Sequence, residues 1–357
     1  MDQAAFHEQI QALLAEKESL ARQILDNIYA KRPALKQKYQ KVTQQLITDI
    51  LFHLEFLLEA LRLNSIVLFD EYLKWCRTFY EQISIPAAEI VLTFDQINAT
   101  LKQGKTAEFQ AALDRYNARV TAIFESKYRA PHSFIRPNNP HRELAEHYFH
   151  TVLKGNRADA SKLIFDALDA GTSVRDIYLE VFEPCQKEVG RQWQTGLLSV
   201  AQEHYFTAVT QLIISQLYPQ IFSTTRIGKK MIAACAGGEL HEIGIRMVAD
   251  FFEMEGWDTL YIGANTPAAA IISTIKSEMP AVIALSTTLL PHIGMISDII
   301  SRIRSNREFD FTKIIVGGYP FNVDQDLWKR VHADGSAANA ADAVQIAQKS
   351  FYYQENT

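Results

Sequence analysis

The feature that most constrains this chain is a change of periodicity at Gly228. Beyond it the short apolar runs KKMIAACAGG, TLYIG, AVIALSTTLL and KIIVGG are separated by amphipathic segments of helical period, EIGIRMVADFFEMEG, PAAAIISTIKSEM and IGMISDIISRIRSN. Strand–helix alternation of this kind predicts a parallel, doubly wound, Rossmann-like sheet over 228–357, with its ligand crevice at the C-terminal ends of the strands. His241, Ser286 and the Gly317–Gly318 pair all fall at such ends.

Upstream the pattern is helical. LITDILFHLEFLLEALRL spaces Leu46, Ile50, Leu54, Leu57, Leu58 and Leu61 on a helix, and glycine is absent until Gly104, which predicts an all-α domain over 1–130. Tyr128–Leu144, YRAPHSFIRPNNPHREL, carries three prolines and two asparagines and is the best linker in the chain. A second helical block over 141–223 breaks at KGNRAD, DAGTSVRD and near QTGLLS, which predicts a four-helix bundle.

The 357 residues are 48% hydrophobic and 22% charged, as in an ordinary soluble protein, and the net charge of -5 argues against a general nucleic-acid surface. Cys76, Cys185 and Cys235 are odd in number and far apart, which fits a reducing cytoplasm rather than a disulfide framework. The polar N-terminus is not a signal peptide, and no apolar run reaches the roughly 18 residues of a membrane span.

Glu239, His241 and Gly244 form E-x-H-x-x-G on the loop after the first strand, where the dinucleotide fingerprint G-x-G-x-x-G is missing. A lone imidazole at this point is either a polar loop residue or a metal ligand. With GELHEIG, ALSTTLLPH, IIVGGYPF and HADGSAANAADAV in order, residues 228 to 350 resemble the cobalamin-binding domains of methionine synthase, the mutases and the cobalamin photoreceptors. The resemblance implies that His241 is the lower ligand of a corrin cobalt. Neutral imidazole suits that role, and Glu239 is a candidate acceptor for its other N–H. It also implies that Gly244, Ser286, Gly317, Gly318 and Gly335 belong to the cofactor site, the small residues at strand ends admitting the cofactor's nucleotide tail.

In the bundle, WQTGLLSVAQEH sets Glu203 and His204 ten and eleven residues after Trp193. This W-x9-EH spacing resembles the cap of CarH-type photoreceptors, which implies that Trp193 covers the adenosyl group of adenosylcobalamin and that Glu203 and His204 hydrogen-bond it. The bland alternative is a core tryptophan and an exposed Glu–His pair. Where those repressors place a second histidine after the tryptophan, this chain has Gln194, so a light-state ligand would have to come from His204, water, His147 or His150. No basic recognition helix precedes the bundle. The expectation is a cytoplasmic photoreceptor, not an enzyme, that binds neither nucleic acid nor membrane and signals through a light-dependent homo-oligomer or a protein partner. The alternative is a corrinoid methyl-carrier protein serving a methyltransferase.

The N-terminal run DILFHLEFLLEALRLNSIVLFDEYLKWCRTFYEQISIP resembles the globin-like module of photocobilins, photoreceptors that pair cobalamin with biliverdin. The resemblance implies a bilin held by His53, Tyr72, Trp75 and Arg77, with Cys76 available for a thioether. The alternatives are a dimerisation domain with His53 as a satisfied core histidine, or haem bound through His53.

Overall fold

The computed structural model describes residues 3–127, 129–222 and 224–355, so Tyr128 of the linker and Ser223 at the end of the bundle lie outside the described residues. The chain divides into two compact units, residues 1–130 and 131–357.

The first unit is helical throughout its described residues, its longest helices being Thr43–Arg62, Ile66–Gln82 and Ala107–Glu125. Of the stripe predicted on the first of these, Ile50, Leu54, Leu57, Leu58 and Leu61 are all at most 4% exposed, while Leu46, near the start of the helix, is half-buried. A globin arrangement is not what the element order alone establishes; the unit is all-α.

The second unit begins with the proline-rich segment, which is packed on the bundle. Ile135 enters the core, Phe134 N donates to Glu188 Oε2 at 3.0 Å, and Asn139 Nδ2 donates to the Glu180 carbonyl at 2.7 Å. The bundle then runs through Arg142–Leu153, Arg157–Asp169, a composite helix from Val174 to Gln194, and Val200–Gln216. The composite helix contains a π-helical turn, Ile177–Phe182. Ser199 starts the last helix with a reciprocal cap: its hydroxyl accepts from Gln202 N, and the Gln202 side chain accepts from Ser199 N.

The sheet has five parallel strands: β1 (Lys230–Ala236), β2 (Asp258–Thr266), β3 (Val282–Ser286), β4 (Lys313–Gly317) and β5 (Gly335–Ala337). Their order is β2-β1-β3-β4-β5, so the chain reverses its direction of travel between β1 and β3, and the ligand crevice of such a sheet lies at that switch point. Cys235 is in register with Ser286, and Ser286 with Gly317, so the loops after β1, β3 and β4 emerge side by side. One continuous core joins sheet to bundle: Phe182 and Phe206 belong to the same cluster as Phe251, Met231 and Ala284.

Candidate functional site

Glu239 is the centre of the site. β1 ends at Ala236, Gly237 and Gly238 turn the chain, and Glu239 N donates back to the Ala236 carbonyl at 3.1 Å, which points its side chain inward. The carboxylate is fully buried. Its Oε1 accepts from His241 N at 2.9 Å and from His241 Nδ1 at 2.5 Å. Its Oε2 accepts from Thr287 Oγ1 at 3.0 Å, Thr288 N at 2.6 Å, Leu289 N at 3.3 Å and His292 Nδ1 at 3.3 Å. One residue therefore ties the loop after β1 to the loop after β3 across the switch point.

The electrostatics follow from those donors. Burial alone would push the Glu239 carboxyl up, but hydrogen bonds from His241, His292 and the backbone of His241 and Thr288 outweigh it and hold the carboxyl well below the usual range. An ionised Glu239 can only accept, so Nδ1 of His241 carries the proton and Nε2 presents its lone pair. The bond to Glu239 raises the pKa of His241 against the opposing effect of burial, and the charges of Glu239 and Glu203 add to the rise. The His241 side chain remains 59% exposed and its neighbour Leu240 is exposed, so an apolar group flanks an available nitrogen.

This arrangement offers a metal one imidazole nitrogen. Among the described residues no group of three or more His, Cys, Asp or Glu side chains could hold an ion by itself. A metal at Nε2 would have to arrive with most of its coordination sphere filled, and the geometry fits a cobalt already held by a macrocycle.

The B12 binding domain family matches residues 229–345. Over that segment the chain matches the family from end to end of the sheet. A second B12 binding domain model matches the bundle over residues 144–218. Monomethylamine corrinoid protein 1 of Methanosarcina mazei is 26% identical over 213 residues, which span 58% of this chain and 96% of that protein. Trimethylamine corrinoid protein 2 of the same organism is 25% identical over 52% of this chain and 85% of its own length. The HTH-type transcriptional repressor CarA of Myxococcus xanthus is 32% identical over a shorter stretch, 33% of this chain and 40% of the repressor. The solved structure of the Methanosarcina barkeri monomethylamine corrinoid protein shares the fold, with a TM-score of 0.53 at 21% identity over 59% of this chain and 99% of that one.

The remaining expected residues are placed less uniformly. Trp193 is half-buried at the end of its helix and Gln194 is buried. Glu203 accepts from Thr207 Oγ1 at 3.2 Å and is near enough to His241 to raise its proton affinity, so this end of the bundle lies by the loop that carries His241. His204 stands mostly in solvent, with Glu203 3.5 Å away. On the same helix and at its end, Val209, Ile213 and Leu217 are buried, whereas Leu212 is 45% exposed.

At the strand ends, the glycines answer to packing as well as to a ligand. A Cβ on Gly318, whose φ is 103°, would lie 1.9 Å from the Thr287 carbonyl oxygen, and one on Gly335 would lie 2.9 Å from Ile346 Cγ2. Gly317 has the Ala337 carbonyl oxygen 3.2 Å from its Cβ position, while Gly244 has open space there. Close approach of the Thr287 backbone to Gly318, and of the Ile346 side chain of the Ala340–Glu355 helix to Gly335 in β5, already favours glycine at both, so their smallness is not evidence of a tail channel. Ser286 ends β3 as expected, but the hydroxyl that reaches Glu239 belongs to Thr287. Neither Thr287 nor His292 was weighed in the sequence, although ALSTTLLPH contains both.

In the N-terminal unit His53 is a satisfied core histidine. Its Nδ1 lies 2.7 Å from Tyr72 Oη and its Nε2 3.1 Å from Tyr80 Oη, and burial lowers its pKa to about 3. Both ring nitrogens are thus occupied, which leaves none for haem iron. The four residues expected around a bilin do not converge. Tyr72 is buried behind His53, Trp75 is exposed and stacked on Phe79, and Arg77 donates to the Ile123 carbonyl and to Ser126 at the end of another helix. His53 and Tyr80 line a cleft of about 50 Å³, where a ligand of drug size needs about 300 Å³ or more. A wider cleft of about 350 Å³, lined by Arg22, Tyr29 and Lys36, includes none of the four.

Proposed function

We propose that the chain is a corrinoid protein in which His241 holds the cobalt from below, and that it carries a cobalt-bound methyl group to and from a partner methyltransferase rather than catalysing a reaction itself. The observation that carries the corrinoid reading is the Glu239–His241 pair, with Nδ1 fixed at 2.5 Å and Nε2 directed away from its only strong partner. Support for the carrier reading comes from the methylamine corrinoid proteins, whose lengths are matched almost end to end with bundle and sheet in the same order. The bound corrinoid would supply cobalt chemistry. Glu239 would fix the tautomer and His241 would hold the metal through Nε2, while Glu203, on the Val200–Gln216 helix, would line the same site. A cytoplasmic location is part of the same proposal; among the described residues no helix is long and apolar enough to cross a membrane.

A second reading, an adenosylcobalamin light sensor with a light-dependent homo-oligomeric state and biliverdin as a second chromophore, is favoured by one observation: Glu203, ten residues after Trp193, is close enough to His241 for its charge to act on the ring. Competition binding separates the two. A carrier binds methylcobalamin and hydroxocobalamin at least as tightly as adenosylcobalamin and keeps its mass under green light. Preference for adenosylcobalamin, lost in Trp193→Ala, together with a light-driven change of mass would replace the carrier reading with the sensor.

A further inference from the structure

We propose that His292 is a positioning residue for the lower cobalt ligand, holding the far oxygen of Glu239 so that the near one stays on His241. The proposal rests on the corrinoid reading of His241. His292 ends the short turn Leu290–His292 that leads into the Ile293–Arg304 helix, and its side chain is only 16% exposed. Nδ1 donates to Glu239 Oε2 at 3.3 Å, and Nε2 would lie 3.2 Å from a Cβ on Gly238, so the ring is wedged between the carboxylate and the Gly237–Gly238 turn. The other donors to Oε2, from Thr287, Thr288 and Leu289, all come from one loop. His292 adds to them a side-chain donor from the turn that leads into the next helix, a ring packed against the Gly237–Gly238 turn. A carboxylate fixed at both oxygens cannot turn its near oxygen off Nδ1, and the orientation of the His241 ring depends on that bond.

The test uses the full-length protein loaded with cobalamin and reduced to Co(II). With the protein labelled with ¹⁵N at histidine, the electron paramagnetic resonance spectrum separates histidine-on cobalt, a doublet, from histidine-off cobalt, which shows a triplet from the cofactor's own base or no nitrogen splitting. In His292→Ala the off-to-on ratio rises about tenfold, the lower end of the usual effect of removing a group that supports a metal ligand. His292→Phe, which keeps a ring but has no N–H, does the same and serves if the alanine variant does not fold. His292→Asn, whose amide N–H can replace Nδ1–H, restores most of the histidine-on signal. A ratio unchanged in both Ala and Phe variants, or equal in Asn and Phe, overturns the proposal. His241→Ala measured alongside distinguishes the failures: if it keeps the ¹⁵N doublet, the reading of His241 itself falls, whereas loss of the doublet there with an intact doublet in the His292 variants removes only the role of His292.

Discussion

Glu239 shows how much one carboxylate can be asked to do. Replacing it by alanine leaves buried donors from His241, Thr288 and Leu289 without their acceptor, at about 1–3 kcal/mol each, and frees the ring of His241. Glu239→Ala is therefore expected to be destabilised in urea unfolding and to bind cobalamin about 10–100-fold more weakly in a spectroscopic titration. Proton and metal also compete for Nε2. The His241 pKa is raised by Glu239, so in the cofactor-free protein the ion pair contributes stability that is full below the unfolded value of 6.5 and is lost as pH rises through the folded one. Coordination has the opposite sign: it needs neutral imidazole and weakens as pH falls through the same raised value. Cobalamin affinity is expected to drop on acidification at a higher pH in the wild type than in Glu239→Gln. The E-x-H-x-x-G spacing made Glu239 and His241 legible because the pair is local in sequence. His292 was not, because its approach to Glu239 depends on β3 lying next to β1.

At the scale of elements, the bundle and the sheet are joined by a buried polar contact inside an apolar core. Tyr178, in the π-helical turn, donates to Asp250 Oδ2 at 2.8 Å and packs near the Phe251 ring of the Ile243–Met254 helix. Burial raises the Asp250 carboxyl from 3.8 to about 6, with Tyr178 and Arg246 opposing. A raised carboxyl destabilises the fold when charged: the cost is absent below 3.8 and grows to its full value as pH rises through about 6. With each pKa unit worth about 1.4 kcal/mol, the full cost is at most about 3 kcal/mol. Asp250→Asn, which still accepts from Tyr178, is expected to unfold at higher urea than wild type at pH 8 and to lose that advantage near pH 4; a difference independent of pH would contradict this. Four strands were legible because each is an apolar run between turn signals. The fifth, Gly335–Ala337, is too short to show a period, and nothing in IYLEVF distinguishes a π turn from an α turn.

At the scale of the molecule, the change of period at Gly228 marked the sheet, but not the continuous core that the sheet shares with the bundle. Because Phe182 and Phe206 are buried in that core, cofactor binding is expected to alter hydrogen exchange mainly over 195–205 and 238–243 rather than throughout the bundle. Uniform protection of all four bundle helices would show a larger rearrangement. The N-terminal unit was legible as helix, whereas the two tyrosines that occupy His53 were not, since they come from a neighbouring helix. The central claim, that His241 is the cobalt ligand, is tested most directly by electron paramagnetic resonance of Co(II) cobalamin bound to protein labelled with ¹⁵N at histidine. Coordination by His241 predicts that the nitrogen triplet of the unlabelled protein becomes a doublet and disappears in His241→Ala. A triplet that persists in the labelled protein would place the cofactor's own base on the cobalt and contradict the account.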